Sequence, residues 1–203
     1  MKTIETIILI NAIIFILTLA IPGIIFGLFA LQPISVISRP WTLVTNMFVH
    51  AGFEHILFNM IALFFFGIYL ERLIGVREFL KVYFIGGIFA SLSYVFTSFL
   101  FHIPPPDVPA VGASGAIFAV MGALVILRPK IVIFVNFLFP LPLYIWVILY
   151  TLYSLPAMFM TSGTIAYNAH LGGLLAGIIF GYYYKKKFPE HPYAYYGPRG
   201  YYY

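Results

Sequence analysis

The 203-residue chain contains no cysteine, a single aspartate and very little charge. Lacking cysteine, it has no disulfides, thiol nucleophiles or thiolate metal sites. With Asp107 alone, a pair of aspartates cannot carry out hydrolysis, and no His-Glu-x-x-His run is present to hold a zinc ion. Charged residues make up 8% of the chain against 63% hydrophobic, and the mean hydropathy is +1.01. That balance excludes a water-soluble domain of this length.

What the chain has in place of charge is long apolar runs. Six read as membrane-spanning helices, roughly 4–26, 55–74, 79–101, 114–127, 131–153 and 167–184. The first looks like a signal peptide, but no small-residue cleavage site follows it, so it is expected to be a retained helix. The predicted fold is therefore an all-α, polytopic six-helix bundle over residues 1–184, followed by a basic, Tyr-rich and disordered tail over 185–203. The net charge of +5 does not point to nucleic acid. With the N-terminus inside, ten of the eleven basic residues fall on one side of the membrane and only Arg39 on the other. This bias predicts cytoplasmic termini in a plasma-membrane protein, with basic loops meeting anionic lipid.

Residues 27–50 are too apolar for an ordinary loop and are expected to lie partly in the outer leaflet. A flexible apolar flap is expected over about 154–167, carrying Met158, Phe159 and Met160.

Polar residues inside such helices are functional candidates by default. A rise of 1.5 Å per residue converts sequence distance into depth. Measured from the charge ending each helix, Ser114 lies about 21 Å up, His170 about 22 Å, Asn59 about 18 Å and His55 about 24 Å. All four fall in one layer. Small residues at four-residue spacing, Ala169-Gly173-Gly177-Gly181 and Gly115-Ala119-Ala123, allow the helices carrying His170 and Ser114 to approach closely. Ser114 lies between Gly112 and Gly115 at a helix start, where exposed N–H groups stabilise an anion. His55 and Asn59, at i and i+4, share a helix face as hydrogen-bond glue or as donors to an oxyanion. No acidic residue shares the layer of His170, so a Ser114–His170 dyad is expected rather than a triad. His50, Glu54 and His55 could be arranged around a metal, but no metal or cofactor is expected. A small transporter or channel would need polar residues through the full depth, and Asn136 is the main one outside the layer.

His50-x4-His55-x3-Asn59, Gly112-x-Ser114-Gly115 and Ala169-His170-x2-Gly173-x3-Gly177 occur in this order on these helices. Together they resemble the rhomboid family of intramembrane serine proteases over roughly residues 40–182. The resemblance implies Ser114 as nucleophile, His170 as general base and then acid, and an oxyanion hole of Asn59, His55 and the Ser114 N–H. It implies supporting roles for His50, Gly112, Gly115, Phe118 and Gly173. It also implies a membrane-embedded first loop, a capping fifth loop and a gating fifth helix. Substrates would be transmembrane proteins cut in or beside their spans, near the extracytoplasmic face. The alternative is a catalytically inactive relative that binds transmembrane helices. Two positions depart from common family patterns: Trp41-Thr42 where many relatives have Trp-Arg, and Phe118 where some have Tyr.

Overall fold

The computed structural model describes residues 2–135, 138–160 and 165–187. Asn136, the flap residues 161–164 and the tail from 188 onward lie outside the described residues. The chain is helical almost throughout, running α1 (Lys2–Ala20), α2 (Pro22–Phe29), α3 (Phe53–Ile74), α4 (Val76–Phe101), α5 (Ser114–Leu127), α6 (Leu143–Met160) and α7 (Tyr167–Lys187). Among the described helices, α1, α3, α4 and α6 are each long and apolar enough to cross a membrane. α5 is apolar but short, and α7 spans 21 residues that include Asn168, His170 and three lysines.

Three boundaries differ from the sequence reading. The run at 4–26 is two helices, because Pro22 cannot donate to the carbonyl four residues back. Pro22 instead starts α2, where a missing N–H is harmless. The run at 131–153 begins as an antiparallel hairpin, β1 (Val132–Val135) and β2 (Phe139–Pro142), with Val132 opposite Pro142 and Val135 opposite Phe139. Pro140 and Pro142 would interrupt a helix there, while β-branched Val132, Ile133 and Val135 suit a strand. The fifth helix therefore starts at Leu143, directly after the second proline, and continues to Met160. Residues 154–160 are thus helical rather than flap, and Pro156 is accommodated inside α6. At the far end, α7 extends through Lys187, where Lys187 and Lys81 both pair with Glu78 at the start of α4.

The centre of the bundle is α5, whose residues Ala116 to Leu124 are all buried. Its 14 residues span about 21 Å, short of a hydrocarbon core of about 30 Å. α5 packs against α4 and α7 through glycine. A Cβ added to Gly86 would run into Ala119 Cβ, one on Gly173 into Gly115 O, and one on Gly177 into Ala119 O. Bulky side chains face outward instead: Ile16, Leu19, Phe96, Phe99, Leu152 and Ile179 are all exposed, as a lipid-facing surface requires. This is a multi-pass membrane protein.

The segment before α3 is a chain of short helical turns held by its own polar groups. Arg39 donates to Gly27 O, Gln32 Oε1 and Ser35 Oγ, and Trp41 Nε1 donates to Leu28 O at 2.8 Å. Thr42 occupies the position after Trp41 and donates to Arg39 O at 2.6 Å. The anchoring arginine thus stands two residues before the tryptophan rather than directly after it.

Candidate functional site

Ser114 opens α5, and no side chain caps that helix start. Its first N–H groups have no intrahelical acceptors and remain available to an anion. The preceding turn is set by Gly112, whose φ of +120° an L side chain rarely adopts and whose N–H donates to Asn46 O at 2.9 Å. A Cβ at Gly112 would lie 2.6 Å from His55 Nε2 and 3.7 Å from Ser114 Oγ. The glycine therefore lets the His55 ring approach the serine. Replacing Gly112 with alanine should displace His55 and strain the turn, costing about 1–3 kcal/mol of stability. Thermal unfolding in detergent would measure the loss.

His170 enters from α7 and places Nε2 2.7 Å from Ser114 Oγ. The contact spans 56 residues of sequence and depends on the glycine packing of α5 against α7. Phe118, one turn below Ser114, stacks on the imidazole with centroids 4.5 Å apart and planes 14° apart. Asn168 fixes the start of α7 through Thr97 Oγ1 and Ile103 O.

His50, Ala51 and His55 form the opposite wall. His55 Nδ1 accepts from Ala51 N–H at 3.5 Å, which leaves the hydrogen on Nε2, the atom facing Gly112 and Ser114. His50 is fully buried, meets the His55 ring edge-on at 5.0 Å and accepts the Ala113 N–H at 3.4 Å. Asn59 Nδ2 donates to His55 O at 2.7 Å and keeps a second hydrogen. No group of three or more His, Cys, Asp or Glu arranged for a metal occurs among the described residues. His50, Glu54 and His55 therefore do not form such a cluster.

A cleft of 620 Å³ opens beside Ser114 between α3 and the start of α6. Its walls include Asn59, Phe66, Met121, Trp146 and the β1 strand. The lining is mostly apolar, with Ser114 and Asn59 as polar groups at one end.

One site residue has no signal in the sequence. Tyr150 of α6 places its hydroxyl 2.6 Å from His170 Nδ1. A tyrosine in an apolar helix, among 16 in the chain, has no spacing that marks it. Arg39 is likewise a charge count in the sequence and a loop anchor in the fold.

Comparison with known proteins gives the same family from sequence alone. The Rhomboid domain family matches residues 37–187. Rhomboid protein 1, mitochondrial, of Saccharomyces cerevisiae is 33% identical over 149 residues, covering 71% of this chain and 42% of the relative. RHOMBOID-like protein 12, mitochondrial, of Arabidopsis thaliana is 30% identical over 152 residues, covering 70% and 45%. Rhomboid protease GluP of Bacillus subtilis is 40% identical over 85 residues, covering 41% and 15%. The chain thus spans less than half the length of each of these relatives.

Proposed function

The chain belongs to the rhomboid family, and on that footing we propose that it is an intramembrane serine protease acting on transmembrane proteins. The observation that carries the reading is the 2.7 Å contact of His170 Nε2 with Ser114 Oγ, at the end of an apolar cleft.

In this reading, a substrate span unwinds locally and lays an extended segment in the cleft. Unwinding is needed because helical hydrogen bonds otherwise cover the peptide carbonyl in lipid. Ser114 Oγ attacks that carbonyl while His170 Nε2 takes its proton. The developing oxyanion is met by the Ser114 N–H, the His55 Nε2–H and the free Asn59 Nδ2–H. His170 then gives the proton to the leaving amine, and water clears the acyl-enzyme by the same route. Neither metal nor cofactor takes part.

With six spans in the plasma membrane, the distribution of lysine and arginine supports cytoplasmic termini and a site opening toward the extracytoplasmic side. Residues 1–184 hold the catalytic unit in this reading, α7 runs on through Lys187, and the remainder is a cytoplasmic tail near lipid.

The test is cleavage of a fluorescent single-span protein in proteoliposomes, with the new termini mapped by mass spectrometry. Cleavage in or beside the span supports the protease reading. Retention of the intact span across several substrates and lipids overturns it in favour of a helix-binding protein. Asn59→Ala should lower kcat by about 10²-fold, the usual cost of one lost oxyanion donor, and single-turnover kinetics would measure it.

A further inference from the structure

The His170 imidazole lies between two hydroxyls. Nε2 is 2.7 Å from Ser114 Oγ, and Nδ1 is 2.6 Å from Tyr150 Oη. A neutral imidazole carries one N–H, so these contacts cannot both be donated by the ring. With the hydrogen on Nε2, the ring would donate to Ser114 and could not take its proton. With the hydrogen on Nδ1, the ring donates to Tyr150, and its Nε2 lone pair faces the serine hydroxyl. An acceptor at Nδ1 therefore selects the tautomer that a base needs. The usual acceptor is a carboxylate, but the group at Nδ1 here is the Tyr150 phenol.

We propose that Tyr150 is the positioning residue for His170, its phenol oxygen holding the imidazole as the Nδ1–H tautomer with Nε2 turned to Ser114. This rests on the protease reading above. The ring of Tyr150 is itself held in place: it stacks on Trp146 at 5.0 Å and lies 4.6 Å from Phe118, which stacks on His170. Ser154, one turn further along α6 and fully buried, neighbours the Tyr150 hydroxyl and has no other hydrogen-bond partner among the described residues, so its Oγ can accept the phenol's own hydrogen. Because Tyr150 belongs to α6 while Ser114 and His170 belong to α5 and α7, the ring is oriented by a third helix. When His170 becomes doubly protonated during attack, the Nδ1–H bond to Tyr150 is charge-assisted and strengthens.

The test uses the full chain in lipid, with ¹⁵N-labelled histidine and His170→Ala to assign the resonance. The expected wild-type signal is a protonated Nδ1 and an unprotonated Nε2. Tyr150→Phe keeps the aromatic stack and should spread His170 over both tautomers. It should lower kcat roughly tenfold to a hundredfold, the scale of one hydrogen bond to a charged group. KM should move by less than about twofold, since the loss falls on the transition state. Ser154→Ala should give a smaller fall in kcat and, if Tyr150→Phe does not fold, supplies the variant reading. A wild-type His170 protonated at Nε2, or Tyr150→Phe with wild-type kcat, overturns the inference. Absence of cleavage by the wild type alongside the Nδ1–H signal overturns the protease reading instead.

Discussion

Ser114→Ala will abolish cleavage of a single-span substrate, with a fall in kcat of at least about 10⁴-fold and no loss of thermal stability. The hydroxyl is the one oxygen nucleophile in contact with the His170 imidazole on the Ser114 side, and alanine removes it without adding volume. Ser114 is half-buried and lines the cleft, so no cavity forms in the packed interior of α5. His170→Ala should cost nearly as much, and the double variant little more than either, because the two groups act as one unit. The stability of Ser114→Ala separates this result from unfolding. Cleavage surviving that substitution, with the product termini unchanged, would sink the assignment of the nucleophile.

Gly177→Leu will destabilise the bundle by about 3 kcal/mol or more and silence the site from a distance. A Cβ at Gly177 meets the carbonyl oxygen and carbonyl carbon of Ala119, backbone atoms that no rotamer change can move aside. α7 must then withdraw from α5, and with it His170 from Ser114, although Gly177 touches neither. The matched control is Gly27→Leu, at a glycine with nothing within 4 Å of an added Cβ. Thermal unfolding in one lipid or detergent, with cleavage measured in parallel, compares the two. Equal behaviour of the two variants would mean that the close approach of α5 and α7 does not hold the dyad together.

The extent to which the site was legible differs from residue to residue. Ser114, His170, His55 and Asn59 could be placed in one layer because helix rise is uniform and charges mark where each helix leaves the membrane. The glycine spacing of α7 foretold a close helix pair because its period matches the helical turn. The hairpin of β1 and β2 is illegible for the opposite reason. An apolar run in lipid carries no helix-or-strand period, so its local signs are Pro140, Pro142 and the β-branched Val132, Ile133 and Val135. The same two prolines set the start of α6 at Leu143, and that helix continues over residues 154–160, where the sequence reads as a flap.

Composition and charge by themselves determined a membrane-embedded helical protein, and uniform helix rise gave its polar residues a common expected layer. These follow from properties that act residue by residue: apolar transfer, helix rise and the cost of a charge in lipid. Tertiary structure alone decided which side chains touch. Tyr150 meets His170, Arg39 ties the first loop, and Gly112 admits the His55 ring, each through rotation and packing of whole helices or a local backbone turn. Depth along a helix is additive in sequence, whereas the angle at which a side chain faces its neighbour depends on every contact that helix makes.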